Sequence, residues 1–122
     1  MTATRRSAWA VFLPWVLLLL SCSACRTAPP PEIEALVPPS TRVGVDFQVQ
    51  PNGESAIAVQ GKNFQEGATI TANGQKLSTA YGGKQLVTAF FPKELYAKPG
   101  KVSVQVVNPD GSASQPVDFI IQ

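Results

Sequence analysis

Two hydrophobic patterns divide the chain. Residues 8–20 are uncharged and mostly apolar with no period, whereas from Leu36 onward apolar positions alternate with polar ones or come in short runs broken by turn residues. Val43, Val45, Phe47 and Val49 alternate with Gly44, Asp46, Gln48 and Gln50, the period of two that marks a half-buried strand. Pro51-Asn52-Gly53 then turns the chain into a strand over 56–60. A strand over 68–72 runs into Asn73-Gly74, a strong hairpin signal because both residues tolerate positive φ. The pattern predicts further strands over 77–81, ended by Gly82-Gly83, and over 85–91, ended by Pro92. Val102, Val104 and Val106 alternate with Ser103 and Gln105, and Asn108-Pro109-Asp110-Gly111 reverses the chain before Val117, Phe119 and Ile121. Only 93–97 suits a helical turn. Closely spaced short strands of this kind predict an all-β sandwich.

The leading apolar run is shorter than the roughly 20 residues a membrane-crossing helix needs, and Pro14 interrupts it. With Arg5 and Arg6 ahead of it and small Ser21 behind, it reads as a cleaved export signal, an uncleaved anchor being the alternative. The arginines orient it, because positive charge stays on the cytoplasmic side. Leu18-Leu19-Leu20-Ser21-Cys22 resembles the lipobox of bacterial lipoproteins. The resemblance implies a signal peptide over 1–21, a Cys22 thiol capped with lipid as the first mature residue, and a membrane partner through that lipid. Cys25, behind Ser23 and Ala24, is the alternative attachment site. Ser23 resembles the residue after the anchor in Gram-negative lipoproteins sorted to the outer membrane. Thr4-Arg5-Arg6-Ser7 resembles a twin-arginine opening in part, but the very apolar 16–20 core fits the general secretory route better. A disulfide between Cys22 and Cys25 would close only a tiny loop, and with no histidine or third cysteine the pair cannot complete a zinc site.

Charge sharpens the picture once the signal is removed. The chain has 10 basic and 8 acidic residues; without Arg5 and Arg6 the signs balance. Phosphate neutralisation needs a clustered positive field, so nucleic acid is excluded as a partner. Residues 22–31 form the lipidated cysteine and a tether, whose Pro29-Pro30-Pro31 favours extended polyproline geometry. Residues 32–122 suffice for one small core.

The absence of histidine removes every imidazole-based triad or metal centre. Serines and threonines without a base are ordinary hydroxyls, and Glu54, Glu66, Asp110 and Asp118 lie in or beside turns or on polar strand faces. Gly82-Gly83-Lys84 lacks the earlier glycine, the following Ser or Thr and the helix of a phosphate loop. No catalytic residue, metal ligand or cofactor is expected, and the chain reads as a non-enzyme.

Leu36-Val37-Pro38, then Ile57 through Phe64 with Gly61 and Asn63, then Asn73-Gly74, then Val104 through Gly111, Ser114-Gln115-Pro116 and Phe119 together resemble an IPT/TIG domain. That is the immunoglobulin-like module of plexins, Rel-type transcription factors and many bacterial surface proteins. The resemblance covers residues 33–121 and implies an immunoglobulin-like β-sandwich of the E-set type. The segment 43–54 is longer than such domains usually carry there, and it is expected to lengthen an edge hairpin. Gly61 is expected to end its strand at a sharp bend, Asn63 to take a left-handed turn and Phe64 to enter the core.

Among the mature aromatics, Phe90 and Phe91 are adjacent and cannot both face inward. One of them with Tyr81 makes an exposed aromatic patch, so Tyr81 and Phe90 are the candidate binding residues. Two functions remain. The first is a lipid-anchored domain mediating protein–protein contacts in the cell envelope through strand edges or that patch. The second is a glycan-binding accessory module, since tyrosines stack on sugar rings.

Overall fold

The computed structural model describes residues 28–122. The expected signal segment 1–21, both cysteines and the start of the expected tether lie outside them. Two sheets face each other. Sheet A has the order β1-β3-β7-β6, built from β1 (Glu32–Val37), β3 (Ser55–Lys62), β6 (Thr79–Gly83) and β7 (Leu86–Phe91). Sheet B has the order β2-β9-β8-β4-β5, with β2 (Ser40–Thr41), β4 (Thr69–Ala72), β5 (Gln75–Lys76), β8 (Gly100–Val107) and β9 (Val117–Ile121). The chain is an all-β, immunoglobulin-like sandwich.

Alternation decides which residues meet between the sheets. Ile57 and Val59 of β3, Val87 and Phe91 of β7, Ile70 of β4, Val104 and Val106 of β8 and Phe119 of β9 are fully buried, while their sequence neighbours, Thr71 apart, are at least partly exposed. Each such side chain contributes about 1.5–3 kcal/mol on leaving water. One end of the core is aromatic: Phe119 lies 4.9 Å from Phe91 and 5.2 Å from Phe47, ring centroid to ring centroid, and Phe47 lies 5.2 Å from Tyr96. The Asn73-Gly74 hairpin forms as expected, with φ of 50° and 84°.

Phe64 is buried and Asn63 is left-handed, with φ of 65°. Gly61 does not end its strand. It pairs with Ile33 inside a β3 that continues to Lys62. Its requirement is space, because a Cβ there would run into the Glu32 carbonyl oxygen and come within 2.8 Å of Phe64 Cζ.

The strand and lengthened hairpin expected from the 43–49 alternation are absent. Those residues form part of a loop, 42–54, that crosses the open end of the sandwich. Val43 N–H donates to Gln122 O on the sheet B side, and Ala56 N–H donates to Phe47 O on the sheet A side. Only Phe47 of the alternating set is buried. The period of two arose from one core anchor among exposed valines.

Strand direction gives the sandwich two poles. β1 runs antiparallel to β3 with Glu32 beside Lys62 and Val37 beside Ala58. Residue 31 leads into the Glu32–Lys62 end, and the 42–54 loop lies at the other. Eight residues of β3 at about 3.3 Å each separate the poles by about 25 Å.

Candidate functional site: a pinned valine loop and an uncharged trough

The 42–54 loop is held at several points. Gly44 N–H donates to Tyr96 O at 2.8 Å, Thr41 Oγ1 donates to Val45 O at 2.8 Å, and Gln50 N–H donates to Glu54 O at 2.9 Å. Beneath it lies a polar chain. Tyr96 OH donates to Asp46 Oδ1 at 2.8 Å, and Ser55 Oγ sits 2.8 Å from the same phenol oxygen. Because a carboxylate only accepts, the tyrosine proton goes to Asp46 and Ser55 donates its own to the phenol. Ser55 Oγ in turn accepts from Phe47 N–H at 3.0 Å. The Tyr96 hydrogen bond holds the Asp46 carboxyl below the usual carboxylate range; partial burial opposes this and the nearby Lys93 ammonium, 3.5 Å away, assists. Burial pushes the Tyr96 phenol above its ordinary value, and the Asp46 contacts add to it while the Ser55 hydrogen bond opposes.

This fixed loop displays apolar side chains to water. Val43, Val45 and Val49 are 40%, 49% and 56% exposed, three of the six large hydrophobic residues so exposed among those described. Solvating apolar groups on a rigid support is the pattern of a contact surface, because hiding them costs no loop ordering.

Gln48, beside Val49, links the loop to the outer face of sheet A. Its φ of 43° is uncommon for a residue other than glycine or asparagine. The conformation lets its carboxamide Nε2 donate to Val37 O at 2.7 Å and Ala56 O at 3.0 Å, joining β1 to β3. From there a trough of 330 Å³ crosses the sheet, floored by Ala56, Ala58, Thr88 and Ala80 and flanked by Gln48 and Phe90. Val37, Ala58, Thr88 and Ala80 form one cross-strand row, and Ala56 pairs with Phe90. No charged residue lines the trough. The outer face of sheet B differs: Ser103 pairs with Asp118 and Lys101 with Ile120, and Lys101 Nζ lies 3.9 Å from Asp118 Oδ2.

The two aromatic candidates do not form one patch. Phe90 pairs with Ala56 on the outer face, whereas Tyr81 pairs with Val87, a core residue, and so springs from the opposite side of the edge strand β6. Tyr81 is 37% exposed there. Phe91 is the buried member of the adjacent pair. Parity was readable from the sequence within each strand, but the register between β6 and β7 was not. Tyr96 is a core residue that pins the loop. Among the described residues no three metal-ligating side chains gather.

At the Glu32–Lys62 pole, Asn108 is buried and ties two turns together. Its Oδ1 accepts from Gln65 N–H and its Nδ2 donates to Asn63 O, each at 3.0 Å. The sequence marked Asn108 only as the start of a hairpin turn.

Comparison with known proteins adds fold. No family model and no curated protein sequence matches the chain. A gamma-CGTase from an alkalophilic Bacillus clarkii contains a similar structure, with TM-score 0.57 and 20% identity over 75% of this chain. Auxiliary nutrient binding proteins of Bacteroides thetaiotaomicron and Bacteroides ovatus align with TM-scores of 0.49 and 0.44 at 17% and 18% identity, over 77% and 80% of this chain. The chain spans 12% of the first protein's length and 21% of each of the others. The likeness is to one β-sandwich domain within larger proteins.

Proposed function

We propose that this chain is a non-enzymatic lipoprotein of the bacterial cell envelope whose IPT/TIG-like domain mediates protein–protein contacts at its tether-distal pole. The observation that carries the reading is the 42–54 loop. It is pinned by Tyr96 yet leaves Val43, Val45 and Val49 in water. With lipid on Cys22, the nine steps of chain to Pro31 reach at most about 32 Å, at about 3.6 Å per residue. The Glu32–Lys62 pole then faces the anchoring membrane, in an outer membrane if the cell has two, and the valines point away from it toward soluble or opposing envelope proteins.

Chemical crosslinking in intact envelopes tests the reading, comparing the native chain with Val45→Asp. Specific protein adducts that diminish in the variant support it. Adducts unchanged in Val45→Asp contradict the loop assignment, and retention on polysaccharide that disappears in Tyr81→Ala would establish the glycan-binding alternative instead.

A further inference from the structure

Four asparagines occur in the chain, and two of them, Asn52 and Asn73, precede glycine. Asparagine is thermolabile because the peptide nitrogen that follows it can attack the side-chain carbon and expel ammonia, and glycine leaves that nitrogen unshielded. The fold holds the four differently. Asn108 is buried, and the nitrogen of Pro109 after it carries no proton to lose. Asn63 is followed by the buried Phe64, and its Nδ2 donates to Pro30 O at 3.2 Å.

Asn52 and Asn73 share the same next residue and differ in what restrains them. Asn73 N–H donates to Ser103 O and Asn73 Oδ1 accepts from Ser103 N–H, both at 2.8 Å. Main chain and carboxamide are thereby clamped to β8, the middle strand of sheet B. Attack by the Gly74 nitrogen requires the hairpin to leave that strand. Asn52 instead sits in a loop tip, 51–54, that is exposed throughout. Its Oδ1 accepts from Glu54 N–H at 3.0 Å, so the carboxamide folds back along the Gly53 peptide unit, and the same N–H polarises the carbon to be attacked. The restraints on the tip are local: Gly53 N–H donates to Gln50 O at 2.8 Å and Gln50 N–H to Glu54 O at 2.9 Å. These bonds open with a single turn and leave both sheets intact. Asp110 is the one aspartate followed by glycine, and its ring closure would need a neutral acid. Hydrogen bonds from the Ser112 hydroxyl and N–H keep it a carboxylate, without a leaving group.

We infer that Asn52 is a site of spontaneous covalent modification, deamidating through a cyclic imide with Gly53. The Gly53 nitrogen gives up its proton and bonds to Asn52 Cγ, the Cγ–Nδ2 bond breaks, and the side-chain nitrogen departs as ammonia carrying that proton. Water then opens the imide. Addition at Cγ gives aspartate; addition at the main-chain carbonyl carbon gives isoaspartate, with the chain rerouted through Cγ. Nothing is oxidised or reduced. Either product adds a carboxylate beside Glu54, whose Oε2 now accepts from Asn52 Nδ2 at 3.4 Å, so an attraction becomes a repulsion at the end of the 42–54 loop. The chemistry is independent of what the loop binds.

The full chain, purified in detergent and held for weeks at physiological temperature and neutral pH, tests the inference beside a sample held in denaturing urea. Peptide mapping by mass spectrometry, with chromatographic separation of aspartate from isoaspartate, gives the conversion at each asparagine. In the folded chain Asn52 should convert roughly tenfold faster than Asn73, because only a local opening is needed. In urea the two rates should converge as Asn73 speeds up, since both are then asparagine-glycine pairs in a free chain. Asn52→Gln should abolish conversion at that position and leave Asn73 unchanged. Comparable rates at Asn52 and Asn73 in the folded chain, or an Asn52 that converts only in urea, overturn the inference. A rate difference that persists unchanged in urea also overturns it, because flanking sequence and not the fold would then set the order.

Discussion

Tyr96 and Asp46 are 50 residues apart in sequence, and their side chains meet at 2.8 Å. The phenol enters from a 3-10 turn at Lys93–Tyr96 whose Pro92 start bends the chain off β7. Its ring packs against Phe47 and Phe91 while its hydroxyl reaches past them to the loop carboxylate. One side chain therefore joins the aromatic end of the core to the surface that carries the valines.

Tyr96→Phe keeps the ring and removes the link. We expect a loss of about 1–2 kcal/mol in denaturant unfolding and faster amide exchange at Gly44 and Phe47. The pH response has a defined sign. The Asp46 carboxyl is lowered, so its contribution is complete above about pH 4 and fades as pH falls through the lowered value. The Tyr96 phenol is raised, so its contribution is complete below about pH 10 and is lost as pH rises through the raised value. The variant should flatten both flanks of the stability profile; a native-like alkaline flank would contradict the assignment.

Gly61→Ala places a methyl against the Glu32 carbonyl and the Phe64 ring. Separation of β1 from β3 or displacement of Phe64 should cost about 1–3 kcal/mol or more. Gly74→Ala, where no atom lies within 4 Å, meets only the left-handed φ of 84° and should cost about 1 kcal/mol. Urea midpoints for the two variants separate crowding from backbone strain.

Asn108→Ala strands a Gln65 amide and an Asn63 carbonyl. Loss of about 2–4 kcal/mol is expected from two unmet polar groups. Asn108→Asp keeps the acceptor but not the donor and should fall between. Thermal unfolding of the three proteins gives the order.

How far the fold was legible depended on whether local pattern or distant contacts decided each element. The strands at 56–60, 102–106 and 117–121 were readable because β3, β8 and β9 alternate cleanly into one core. The Asn73-Gly74 hairpin was readable from two residues alone. The 42–54 loop was not, because alternation of Val43, Val45, Phe47 and Val49 satisfies a strand template, while two of the bonds that hold the loop, Gly44 N–H to Tyr96 O and Val43 N–H to Gln122 O, come from residues distant in sequence. The trough was hidden for a similar reason. Ala56, Ala58, Ala80 and Thr88 are unremarkable singly, and only the registers of β3, β7 and β6 bring them into adjoining rows.

Fatty-acid labelling checks the anchor. Label should be lost in Cys22→Ala and retained in Cys25→Ala; the reverse would move the lipid to Cys25 and shorten the tether by three residues, about 9 Å.

The central claim is that protein partners bind the valine loop, and affinity measurements on a partner identified by envelope crosslinking test it most directly. Isothermal titration with the native chain, Val49→Asp and Ser103→Asp should show at least a tenfold weakening for the loop variant, about 1.4 kcal/mol, and less than a twofold change for the sheet B variant. Equal affinities for all three, or a loss confined to Ser103→Asp, would contradict it.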